Sequence, residues 1–143
     1  MASGMKILVV DDSPTMRRII VNTVIKAGFP NCEEAEDGKD ALAKLMAGDF
    51  DLLLTEWDIP GMDGLELTRE IRSDPKLKNL PILMVSNRNM KEDIVVAVKT
   101  GVSSYIVKPF DVKILNAKID EIIHPHTKQD NAEDHSSPPD DII

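Results

Sequence analysis

The sequence predicts an α/β fold of the doubly wound class, a five-stranded parallel sheet with helices on both faces. Three observations lead there. Short apolar runs alternate with segments of helical periodicity five times along the chain. The central run, Leu52-Leu53-Leu54, is continuously apolar, a pattern that requires burial on both sides. Four of the runs stop at chemically potent residues, and in such sheets the carboxyl ends of the strands line the ligand-binding crevice.

The elements follow in order. Ile7-Leu8-Val9-Val10 forms the first strand and ends at Asp11-Asp12. Ser13 and Pro14 then supply an N-cap and a first-turn proline. The helix they open presents Met16, Ile20 and Val24 on one face, flanked by Ile19, Thr23 and Ala27, and Gly28 stops it. Cys32-Glu33-Glu34-Ala35 is read as the second strand, with the weakest apolar signal of the set. Ala41, Leu42 and Leu45 mark a second helix ending before Gly48. The Leu52–Leu54 strand runs into Glu56, and Leu67 and Ile71 anchor the third helix. Ile82-Leu83-Met84-Val85 ends at Ser86, and Ile94, Ala97 and Val98 mark a fourth helix that stops at Gly101. Ile106-Val107 ends at Lys108, and Leu115, Ile119 and Ile122 mark the fifth helix, which stops before Pro125. Right-handed crossovers fix the handedness of the connections.

Composition sets the outer bounds. A chain of 143 residues with 42% hydrophobic and 29% charged residues fits one compact domain. Its aromatic residues are Phe29, Phe50, Trp57, Tyr105 and Phe110, so aliphatic side chains and methionine must fill the core, and Trp57 is assigned to the surface rim. A net charge of −8 argues against nucleic acid and for protein partners, because phosphate neutralisation needs a basic surface. The single cysteine, Cys32, cannot form an internal disulfide and is expected as a small buried or edge residue. No apolar run approaches the ~18 residues of a membrane span, and no signal pattern opens the chain, so a cytoplasmic, monomeric protein without membrane insertion is expected. Residues 1–4 read as a leader and residues 5–123 as the domain. Residues 124–143 read as a disordered acidic tail that carries His124, His126 and His135 without forming a metal site.

Alignment of the strand ends brings Asp11, Asp12, Glu56, Ser86 and Lys108 into one crevice. Two acids, a third acid, a hydroxyl and an ammonium suit a divalent cation and a phosphoryl group. With Asp58 adding a further acid beside the site, the carboxylates gathered there repel by about 3 kcal/mol per pair at ~5 Å and an effective dielectric near 20, and a hard cation relieves that repulsion. Each piece has a plainer reading: Asp11 to Ser13 as a helix cap, Ser86 to Asn89 as a polar loop. Their simultaneous occurrence favours a site.

Val10-Asp11-Asp12-Ser13, the segment from Asp51 to Gly64, Met84-Val85-Ser86 and Tyr105-Ile106-Val107-Lys108-Pro109-Phe110 resemble the receiver domains of bacterial response regulators. Within them the resemblance is to the single-domain chemotaxis regulators, through Pro14 to Arg18, Glu33 to Gly38 and Met62 to Leu67. The resemblance implies a flavodoxin-like sheet of order 2-1-3-4-5. It implies a magnesium ion held by Asp11, Asp12, the residue at position 56 and the Asp58 backbone carbonyl. Ser86 and Lys108 would contact a phosphoryl group, Ser86 moving toward it and Tyr105 changing rotamer in response. A histidine kinase and a flagellar motor switch or other protein target are the implied partners, met through the fourth helix, last strand and fifth helix. No enzyme activity is implied by the pattern.

The departure lies at position 56, where Glu replaces the phosphoacceptor aspartate of the resembled family. The extra methylene carries the carboxylate about 1.5 Å farther from the backbone, and a misplacement of ~1 Å can cost a hundredfold in transfer. Conventional phosphorylation is therefore expected to be impaired. Glu56 either imitates the phosphorylated state in part or leaves a phosphorylation-independent or inactive receiver.

Overall fold

The computed structural model describes residues 4–124. The expected acidic tail beyond His124, and with it His126 and His135, lies outside the described residues, as do the first three residues of the expected leader. Five strands alternate with five helices: β1 (Lys6–Val10), α1 (Pro14–Lys26), β2 (Asn31–Ala35), α2 (Gly38–Ala47), β3 (Leu52–Thr55), α3 (Gly64–Ser73), β4 (Ile82–Ser86), α4 (Lys91–Thr100), β5 (Ser104–Val107) and α5 (Val112–Ile123). All pairings are parallel and the order is β2-β1-β3-β4-β5. The sequence expectation holds at every element, including the weakly apolar β2.

Strand alternation divides the core into two layers. Leu8, Val10, Leu53, Ile82, Met84 and Tyr105 pack with Ala41, Leu45, Leu67, Ile71, Ile94 and Ala97 from α2, α3 and α4. Ile7, Val9, Leu52, Leu54, Leu83, Val85 and Ile106 point the other way, onto Ile20, Val21, Val24, Leu115 and Ile119 of α1 and α5. Because β1, β3 and β4 are apolar on both faces, they can be central only if both faces are covered. β2 has exposed residues alternating with half-buried ones, which suits the sheet edge it occupies.

Four helices start on an acceptor side chain. Ser13 accepts from the Met16 N–H, Asp37 from Asp40 and Asp111 from Ile114, while Asp63 and Glu66 form a reciprocal capping box on α3. Pro14 opens α1 as expected, and Gly28 and Gly101 follow α1 and α4 with φ of 106° and 130°, a region that favours glycine. The Lys108–Pro109 peptide bond is cis.

Register carries the fold to the site. Val10 pairs with Thr55, Thr55 with Met84, and Ser86 with Val107, so the residues that follow these strands meet at one edge of the sheet.

Candidate functional site

At that edge the ammonium of Lys108 lies between two carboxylates. Its Nζ donates to Asp11 Oδ2 at 3.0 Å and to Glu56 Oε1 at 2.7 Å. The three side chains are only 3% to 8% exposed, so both ion pairs are buried. Burial works against a charge on Lys108, but the hydrogen bonds and charges of Glu56 and Asp11 outweigh it and hold its pKa above the ordinary lysine value. The remaining carboxylate oxygens are also engaged. Asp11 Oδ1 accepts from the Ser13 N–H at 2.9 Å, and Glu56 Oε2 accepts from the N–H groups of Trp57 at 2.7 Å and Asp58 at 3.2 Å.

Glu56 is seated by its backbone. Its N–H donates to the Val10 carbonyl at 3.0 Å, extending the pairing of β1 and β3 by one residue. Behind it, α3 begins at Gly64, whose N–H donates to the Trp57 carbonyl at 2.8 Å. A Cβ at position 64 would stand 2.6 Å from the Glu56 carbonyl oxygen and 2.9 Å from Trp57 Cα, so this close approach requires glycine.

Ser86 is fully buried, and its Oγ accepts from the Arg88 N–H at 3.2 Å. Tyr105 is 1% exposed, and its hydroxyl donates to the Arg88 carbonyl at 2.9 Å. Burial raises the Tyr105 pKa, opposed by its hydrogen bond with Ser86. The structure thus brings Asp11, Glu56 and Lys108 into contact at the strand ends, while Ser86 and Tyr105 meet at the backbone of Arg88. Asp12 is exposed beside Asp11.

The chain matches the response regulator receiver domain family over residues 7–120. It belongs to that family. It is 49% identical to the chemotaxis protein CheY of Pseudomonas aeruginosa over 118 residues, covering 82% of this chain and 95% of that one. It is also 49% identical to CheY-3 of Vibrio cholerae over 119 residues, covering 83% and 92%. Among solved structures, CheY4 of Vibrio cholerae superposes with a TM-score of 0.76 at 31% identity, covering 82% of this chain and 98% of that one. The receiver domain of a Pseudomonas aeruginosa sensor histidine kinase, described with magnesium coordinated in its active-site cleft, has a TM-score of 0.76 at 26% identity, covering 84% and 98%. The chain is a CheY-like receiver.

Two features of this receiver differ from the sequence expectation. Trp57 is 7% exposed rather than a surface-rim residue, because the loop after β3 turns back on itself and the Trp57 carbonyl accepts from both Ile59 and Gly64. The Asp58 carboxylate does not enter the cleft as a further acid; it is exposed and pairs with Arg88. Two arginines have roles here that the sequence pattern did not assign them. Arg17 Nη1 donates to the Asp11 carbonyl at 2.6 Å while its Nε donates to Glu34 at 2.9 Å, bracing the strand end that presents Asp11. Arg88 joins the loop after β4 to the loop after β3 through Asp58 and Trp57. Glu34 and Asp58, the carboxylates that these arginines hydrogen-bond, are 17 and 30 residues away in sequence, beyond the reach of a local pattern.

The donor set is compatible with magnesium. Asp11 and Glu56 share one ammonium, and Asp12 adds a third negative charge at the rim, so one cation does not neutralise the acids. Among the described residues no three acid, histidine or cysteine side chains converge at ligand spacing. An ion here would rely on one or two carboxylates and its own waters, the usual manner for magnesium.

Proposed function

We propose that this CheY-like receiver relays a chemotaxis signal by binding proteins, with Glu56 standing where receivers carry the phosphoacceptor aspartate. The observation that supports this is the engagement of both Glu56 oxygens: Lys108 holds one and two backbone N–H groups hold the other. A nucleophilic carboxylate needs a free oxygen aligned with the incoming phosphorus, and ~1 Å of misplacement is costly. Phosphoryl transfer in the ordinary manner is therefore impaired. Asp11, Asp12, Glu56 and the Asp58 backbone carbonyl would hold magnesium, one or two of the carboxylates directly and the rest through its waters. When bound, magnesium supplies electrostatic neutralisation of phosphoryl oxygens. Lys108 and Ser86 supply the ammonium and hydroxyl that would face those oxygens.

The same contacts favour partial imitation of the phosphorylated state over a wholly inactive receiver. Glu56 occupies Lys108, as a phosphoryl oxygen would, while Ser86 Oγ bonds to Arg88 rather than to the acid. One carboxylate supplies a single charge against nearly two for a phosphate. In this reading the receiver acts as a cytoplasmic monomer and a binding protein rather than an enzyme. Its upstream partner is a histidine kinase. Its target, a flagellar motor switch or another protein, meets α4, β5 and α5.

Acetyl phosphate labelling tests the acceptor reading. This chain should incorporate negligible phosphoryl, and Glu56→Asp should label readily; robust label mapped to Glu56 by mass spectrometry would overturn it. Affinity for a motor-switch peptide, measured without phosphodonor, should exceed that of both Glu56→Asp and Glu56→Ala. Equal affinity in all three would leave Glu56 as a disabled acceptor.

A further inference from the structure

Arg88, in the loop between β4 and α4, reaches in several directions at once. Its Nε and Nη2 donate in parallel to Asp58 Oδ2 at 3.0 Å and Oδ1 at 2.7 Å, the two-pronged geometry that orients as well as attracts. The guanidinium carbon lies 4.3 Å from the centre of the Trp57 ring. Nη1 is 3.6 Å from Asp93 in the first turn of α4. The backbone of the same residue donates its N–H to Ser86 Oγ and accepts the Tyr105 hydroxyl on its carbonyl. The N–H groups of Trp57 and Asp58, whose side chains the guanidinium engages, are those that hold Glu56 Oε2. A continuous series of contacts therefore runs from Glu56, just after β3, through Arg88 to the hydroxyl of Tyr105.

We propose that Arg88 is a positioning residue. By clamping its side chain to Asp58 and Trp57, it fixes its own backbone and so holds Ser86 and Tyr105 in one arrangement with no phosphoryl group present. The physical basis is directional rather than a matter of binding strength. Arg88 and Asp58 side chains are 37% and 59% exposed, and an isolated pair in water contributes little to stability. Two parallel hydrogen bonds and a stacked ring nevertheless restrict the plane of the guanidinium, which a lysine ammonium cannot reproduce. The restriction bears on the loop, because the Ser86 and Tyr105 contacts both use Arg88 main-chain atoms. The signalling weight of that arrangement rests on the receiver reading above, but the clamp can be measured without partner or phosphodonor.

The chain contains one tyrosine, so 3-fluorotyrosine incorporation labels position 105 alone. The fluorine spectrum of the full chain should show one resonance. Arg88→Ala and the nearly isosteric Asp58→Asn should each shift it or split it in two. Arg88→Lys, which keeps the charge and loses the fork, should give an intermediate spectrum. An unchanged resonance in both Arg88→Ala and Asp58→Asn would overturn the proposal, as would full recovery of the original spectrum by lysine. Failure of the acceptor reading would appear in phosphoryl labelling and leave this readout intact, so the two are distinguishable.

Discussion

Replacing Lys108 by methionine removes the one charge that Asp11 and Glu56 share while keeping most of the side-chain volume. The two carboxylates hydrogen-bond to the same nitrogen, so they lie within a few ångströms of one another and are nearly excluded from water. At ~5 Å and an effective dielectric near 20 their repulsion amounts to about 3 kcal/mol, and breaking a buried ion pair on one side costs ~3–5 kcal/mol. Lys108→Met should therefore lower the unfolding free energy at neutral pH by about 3 kcal/mol or more, a large share of a typical ~5–15 kcal/mol. Urea denaturation followed by the fluorescence of buried Trp57 reads this directly. Adding Asp11→Asn and Glu56→Gln to Lys108→Met should recover much of the loss. The alkaline limb gives a second check. The folded-state pKa of Lys108 is raised above the ordinary 10.5, so its contribution is whole below about 10.5 and is lost as pH rises through the folded value. The methionine variant should lack that part of the alkaline decline. A loss under about 0.5 kcal/mol, the scale of an exposed pair, would refute the reasoning.

Arg72 donates to the carbonyls of Gly101, Lys78 and Leu80, tying α3 to the segment that follows it and to the turn after α4, so Arg72→Met should cost about 2 kcal/mol in the same assay, with Arg72→Lys recovering less than half. Burial, foremost, and then the charge of Glu34 push the Cys32 thiol up to about 11, so alkylation of the folded protein at pH 8 should be at least tenfold slower than in denaturant; equal rates would contradict the burial argument.

The sheet was legible because its strands are short, apolar and separated by helices with clear stops. Even β2 was readable, since its Glu33 and Glu34 belong to an edge strand whose outer residues stay wet. Its strand order came from the resemblance, because alternation alone does not order strands. The chemical residues Asp11, Glu56, Ser86 and Lys108 were legible because each closes a strand or directly follows one. Trp57 was misplaced for a related reason: a residue next to a strand-end acid looks exposed until the following loop folds over it, which Gly64 permits and Arg88 completes. Arg88 itself gave no signal, because both loops it joins are irregular and its pairing with Asp58 exists only in three dimensions.

The glycine at the start of α3 separates frame from chemistry. With α3 wedged against the Glu56 carbonyl, the main chain at position 56 has no room to retreat, and a longer acid there must take up its length forward, toward Lys108. The cleft thus behaves like a socket with a rigid back wall and an adjustable front. Exchanging acids of different length at this address alters which groups are satisfied at the mouth while every helix and strand keeps its place. A lineage carrying such a socket can change how its signal is triggered without reinventing the fold that delivers it.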